Sequence, residues 1–195
     1  MSLFKKQSTT TRADKIASFQ STTCDFGTPL RIAYGTCKIS PNLINYQDFT
    51  TVEKRTTTKS GKSKSTQIDY QYYVYVELAL CEGPIGEIGK VWVGDNLYHS
   101  IFSLNSNGSH EGSPLSVNLG DNNSPTTYMS QHHPDIACGY ENMAFVYGKV
   151  YLGTNSAGMP SYNVEVRGLL RDSGNGTDAN PADIILDLLD RIGPP

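Results

Sequence analysis

The sequence predicts a mainly β fold, a β-rich α+β chain with long loops and one C-terminal helix. Three observations lead there. Twelve Tyr and 18 Gly stand among many Thr, Ser and Asn, residues that suit pleated surfaces and tight turns. One stretch, Asp69–Leu80, alternates strictly with period two, the pattern of a strand. Apolar residues at helical spacing occur convincingly only near the end of the chain.

Taken in order, residues 1–22 are polar and are expected to be an irregular, flexible N-terminal segment. A β-rich domain then occupies 23–195. Leu30, Ile32 and Tyr34 alternate with Arg31 and Ala33 before Gly35 interrupts, and 42–52 alternates again, so both segments read as strands. Residues 53–68 form a long basic hairpin excursion carrying Lys54, Arg55, Lys59, Lys62 and Lys64. It holds almost no apolar side chain with which to order itself against a core, and is expected to be a mobile arm.

In Asp69–Leu80, Tyr70, Tyr72, Val74, Val76, Leu78 and Leu80 make one continuous apolar face. The opposite face carries Asp69, Gln71, Tyr73, Tyr75, Glu77 and Ala79. Tyr73 and Tyr75 make that side half-apolar, which marks it as a surface for a protein partner. Cys81-Glu82-Gly83-Pro84 stops the strand and 89–93 begins a short one. About 95–140 is a loop-rich insertion dominated by Asn, Ser, Gly and Pro. Strands resume at 144–152 and 162–170. The helix spans 181–192: Asn180 caps it, Pro181 suits its first position, and Ile184, Ile185, Leu188, Leu189 and Ile192 form a stripe expected to lie on the β core.

Composition excludes several functions. A net charge of −3 and a pI near 5.8 argue against a dedicated nucleic-acid or anionic-membrane binder. No apolar run approaches the ~18 residues needed to span a bilayer, so membrane insertion is not expected. The N-terminal residues lack the apolar centre of a secretion signal, so the protein is expected in a cytosol. Cys24, Cys37, Cys81 and Cys138 have no metal or redox spacing and are expected as small buried hydrophobes.

Candidate chemistry is thin. Lys59-Ser60-Gly61-Lys62-Ser63 has the ending of a phosphate loop, but Thr56 stands where the first glycine is required. His99, His110, His132 and His133, with Glu111, Asp135 and Cys138, are scattered without ligand spacing, and read as exposed loop residues. No nucleophile sits in an activating context, and Glu77 and Glu82 read as structural rather than as a catalytic pair. No enzyme activity, cofactor or metal is expected.

Several segments, in order, resemble the tail-tip (central hub) proteins of tailed bacteriophages and gene transfer agents, in their N-terminal hub region. They are Thr28–Gly35 with Tyr34 and Gly35; Leu78–Ile88 with Cys81, Glu82, Gly83 and Pro84; Val91–Asp95 with Trp92; Tyr140–Val146; Leu152–Gly168 with Pro160 and Gly168; and Asn180–Leu189 with Asn180 and Pro181. The resemblance spans about 28–190.

It implies a tail-tube-like β-sandwich or barrel, a homotrimeric ring, and a place in the virion tail after assembly in the host bacterial cytoplasm. The implied partners are further copies of the chain, the tail tube or distal tail protein above, and tip or fibre proteins below, with transient contact to DNA passing the lumen. Relatives continue into further hub and fibre-binding domains. The alternative is a receptor- or carbohydrate-binding β domain of a tail fibre, since tyrosines stack on sugars. For a hub, the basic residues Lys54, Arg55, Lys59, Lys62 and Lys64 and the faces of Tyr73 and Tyr75 are the expected protein contacts.

Overall fold

A computed structural model describes residues 8–21, 27–61, 63–99, 115–169 and 178–192. The chain is mostly β, with a helix near its C-terminal end. Among the described residues, nine strands form two sheets. The first contains β1 (Ser8–Arg12), β3 (Asn42–Ser60), β4 (Ser63–Glu82), β7 (Ser116–Asn118) and β8 (Met143–Thr154). The second runs β2 (Thr36–Ile39), β9 (Tyr162–Arg167), β5 (Glu87–Val93), β6 (Asn96–His99). The helices are α1 (Thr127–His132) and α2 (Pro181–Ile192).

β4 organises the molecule. Its predicted apolar face is buried along its whole length, from Tyr70 through Tyr72, Val74, Val76 and Leu78 to Leu80. One apolar cluster joins these residues to Val164 and Val166 of β9 and to Ile88 and Val91 around β5. Burial of this kind contributes roughly 1.5–3 kcal/mol per large side chain. β4's antiparallel partners are β3 on one edge and β8 on the other.

Four expectations about the elements are corrected. The N-terminal segment is not irregular throughout: Ser8–Arg12 pairs in parallel with Lys64–Ile68, and Ile16 and Phe19 pack on the core. The main chain supplies this strand, since all five side chains are exposed. Leu30–Tyr34 is not a strand; the pairing begins at Thr36, and Tyr34 only bridges Leu169. Within 95–140, β6, β7 and α1 are regular elements, while 100–114 lies outside the described residues. Thr126 starts α1, its hydroxyl accepting from the Met129 amide at 3.3 Å, and Met129 anchors it in the interior.

The fourth correction concerns α2. Its boundaries match the expected 181–192, and Asn180 caps it through Ala182 at 3.0 Å. The stripe, however, does not lie on the core: no residue of α2 is buried, and Leu189 is 59% and Ile192 79% exposed. Polar contacts hold the helix instead. Of the cysteines, Cys81 is buried and Cys37 partly so, but Cys138 is exposed; Cys24 lies outside the described residues.

Candidate assembly surface

The excursion at 53–68 is a hairpin, but not a loop. Register runs unbroken from Thr50↔Tyr73 to Ser60↔Ser63, so β3 and β4 simply continue past the core as a two-stranded arm. Gly61 turns it with φ +58°, a conformation glycine reaches without cost. β1 adds a third strand beside Lys64–Ile68. Ile68 is buried while Val52 is half exposed, and this marks where the core stops and the arm begins. The Lys59–Ser63 string is thus a hairpin tip, with no helix after it to hold a phosphate.

The arm's base is fastened by Asn155, whose φ is +55°. Its side chain accepts from the Tyr70 amide at 2.9 Å and donates to Asp69 at the same distance. The bond from Asn155, then that from Gln67, hold the Asp69 carboxyl below its ordinary range.

Lys54, Arg55, Lys59 and Lys64 are all exposed on the arm; Lys62 lies outside the described residues. Arg55 and Arg12 both pair with Glu53, at 2.5 and 3.6 Å, and Lys54 sits across from Asp69. Lys59 and Lys64, by contrast, are register partners. Like charges directly opposite each other are unfavourable, and both lysines are exposed, so the tip presents them to a partner of opposite sign.

The two tyrosines separate. Tyr73 is half-buried on the outer face, tilted against Tyr151 at 5.3 Å with the Lys149 ammonium over its ring. Tyr75 is not available to a partner, because α1 covers it: its ring stacks on Tyr128 at 4.0 Å, and its hydroxyl meets Thr126 at 2.9 Å. Burial is the first cause of its raised pKa.

Beneath α1 lies a cluster the sequence did not single out. Glu77 is 1% exposed, yet each carboxylate oxygen is satisfied. Oε2 accepts from Asn45 at 3.1 Å and Tyr140 at 3.0 Å; Oε1 accepts from Thr126 at 3.1 Å and Tyr75 at 3.4 Å. Asp48, at φ +54° in an irregular stretch of β3, accepts from Tyr128 at 2.5 Å and meets His133 Nε2 at 2.7 Å. His133 is therefore not the free loop residue expected of it. Burial, then the bond to Asp48, push the Tyr128 hydroxyl up to about 12. The available signals were a carboxylate within β4's alternation and an Asp interrupting that of β3.

The Tyr128 ring stacks on Tyr75 and lies 4.5 Å from the tilted His132 ring. Among the described residues, no group of three His, Cys, Asp or Glu could hold a metal ion.

Most of the residues that carry the family resemblance gather elsewhere, at one junction between the sheets. Gly35 (φ +64°) lies against Ala179, so an added Cβ would sit 2.9 Å from its amide. Gly83 lies against Gly120, and a Cβ on Gly168 would strike the Ala33 carbonyl. The main chain knits these approaches together: Gly168 N donates to Gly35 O at 2.9 Å, Glu82 N to Arg31 O and Gly83 N to Asn142 O, each at 2.7 Å. Glu82 pairs with Arg191 of α2, and the Gly83–Pro84 bond is cis. Cys81 is buried beside this point, its thiol pushed up to about 11 chiefly by burial. Trp92 lies further along, under the Lys38 ammonium at 4.3 Å, and Pro160 is half-buried in the segment before β9.

No family model matches the sequence, and no curated protein matches it. Among solved structures, the chain is similar to one described as "Virion of native gene transfer agent (GTA) particle", at 17% identity and a TM-score of 0.49. The similarity covers 83% of this chain and 32% of the other, so this chain spans about a third of that protein's length.

Proposed function

We propose that the chain is a structural component of a phage or prophage tail tip, part of a central hub ring that joins the tail tube to distal tip or fibre proteins. The role is mechanical rather than catalytic. A threefold ring of identical copies is the proposed state, with tail proteins above and below as its other partners.

One observation carries the reading. Tyr34, Gly35, Glu82, Gly83 and Gly168 come from three separate hub-like segments and converge on a single junction, tied by the backbone bonds around Arg31, Ala33 and Asn142. The close backbone approaches at Gly35, Gly83 and Gly168 leave no room for a side chain, so these three positions belong to the scaffold and not to a ligand pocket. A ring also needs two unlike surfaces that match, and the chain offers a projecting basic arm and an exposed amphipathic helix.

Negative-stain electron microscopy of the full chain tests this. Rings of about tail-tube width with threefold class averages are the expected result. Monodisperse single particles at every concentration examined would sink the reading.

A further inference from the structure

Charge is segregated along the chain. Residues 53–69 hold Lys54, Arg55, Lys59, Lys62 and Lys64 against Glu53 and Asp69, a net +3; the whole chain is −3, so everything else carries −6. Between Lys90 and Lys149 there is no Lys or Arg, while Asp95, Glu111, Asp121, Asp135 and Glu141 all fall there.

The fold turns this into a polarised object. The arm tip closes at Ser60↔Ser63, at the start of the 20-residue β4. The acidic loops gather at the other end: Gly83 N donates to Asn142 O at 2.7 Å, and Ile85 N to Leu119 O at 2.8 Å. Gly139 presses against Asn123, bringing the loop of Asp121 beside the segment of Asp135 and Glu141. All three carboxylates are exposed. The two ends of β4 lie roughly 65 Å apart at ~3.3 Å per residue, well beyond the ~8–10 Å reach of charge interactions in salt. The arm cannot neutralise its own chain's acidic end.

We propose that the arm of one copy docks on the acidic loop surface of a second copy, Lys59 and Lys64 facing Asp121, Asp135 and Glu141. This names the partner of the arm and rests on the assembly reading only in requiring self-association. The opposed pair Lys59–Lys64 has no ion-pair partner among the described residues, and an acidic surface relieves its repulsion. DNA is the less favoured occupant, because the remaining −6 opposes its approach. The contact is heterologous, since arm and loops are unlike surfaces, and such contacts close into rings or extend into filaments.

Sedimentation velocity on the full chain, with reciprocal charge reversal, tests this. Wild type should associate in low salt and weaken at least about tenfold between 30 and 300 mM NaCl. K59E/K64E alone, and D121K/D135K/E141K alone, should each fail to self-associate. An equimolar mixture should associate again, because each variant's arm then meets a surface of opposite sign. Far-UV melts verify folding. If the lysine-bearing loop variant unfolds, D121N/D135N/E141Q takes its place and should weaken association on its own.

Wild type that stays monomeric in low salt overturns the proposal, as does association indifferent to either reversal or a mixture that fails to recover. Tight binding to a duplex DNA probe by a monomeric wild type, lost in K59E/K64E, overturns it in favour of nucleic acid. If rings form in the microscope yet survive charge reversal, the hub reading stands and this contact falls. If the variants pair as expected but wild type itself forms only open filaments, the contact stands and the ring falls; the mixture alternates the two variants and cannot close in a ring of three.

Discussion

The Tyr34 hydroxyl donates to the Asp187 carboxylate at 2.6 Å, across 153 residues of sequence. Asp187 also receives Arg191 at 2.6 Å within α2, and Arg191 reaches on to Glu82. This relay fastens a helix with no buried side chain, and the two carboxylates hold the guanidinium firmly protonated. Leu188, 39% exposed, should therefore tolerate Ala at a cost under ~1 kcal/mol, where a buried leucine loses ~2–5. Tyr34→Phe should instead free the helix locally. Hydrogen exchange over 181–192 checks both; a Leu188→Ala melting point lowered by more than about 6 °C would show the stripe to be packed.

Glu77 is the opposite case, a carboxylate buried among four donors. Glu77→Ala strands those donors and leaves a void, so it should lower stability by roughly 3–5 kcal/mol. Glu77→Gln keeps the shape but puts an NH₂ where acceptors were needed, and should lose a smaller part. Urea unfolding of both variants measures the difference. Equal, near-zero losses would mean the cluster contributes nothing.

Much of this fold was legible because β4 and α2 are governed by local pattern. Alternation from Tyr70 to Leu80 foretold the core face, and Asn180-Pro181 the helix start. What covers each face is a long-range matter and was not legible. α1 lies over Tyr75 because Met129 and Thr126 find places against β3 and β4 some fifty to eighty residues away in sequence, so a tyrosine that reads as half-exposed is buried. The stripe of α2 reads as core-facing by spacing alone, yet polar residues decided its position. β1 was hidden for another reason: a strand held only by its backbone leaves no trace in hydrophobic periodicity. The basic residues of the arm were legible, but the opposition of Lys59 to Lys64 needed the register.

Asp48 should tie stability to pH. Its carboxyl is held below the ordinary value, first by the bond with His133 and then by that from Tyr128, with His132 adding a smaller favourable charge. A carboxylate depressed in the folded state stabilises above its unfolded pKa, near ~4, and loses that contribution as pH falls through the lower folded value. Asp48→Asn suits the positive φ and removes only the charge. Its melting point should lie below wild type at pH 6 and converge with it toward pH 3. A difference that stays constant over that range would exclude the charge as the cause.

The arm should prove dispensable to folding. From Glu53 to Gln67 no side chain is buried among the described residues, and the core resumes at Ile68. Replacing residues 56–65 with a short Gly-Ser turn removes the Lys59–Lys64 repulsion along with the outer ladder. It also removes two of β1's five register pairs, Ser8↔Lys64 and Thr9↔Ser65. The bond from Ala13 N to Ile68 O at 3.0 Å remains, as does the packing of Ile16 and Phe19, so the N-terminal segment keeps its anchor. Exposed two-stranded ladders are marginal on their own, so little is lost, and the melting point should move by less than about 4 °C. Self-association, where the lysines act, should fall, and most visibly in low salt, because that is where screening leaves their charge effective. A deletion variant that unfolds would mean that the ladder beyond Tyr70 stabilises the core, and that the arm is part of the fold rather than an extension from it.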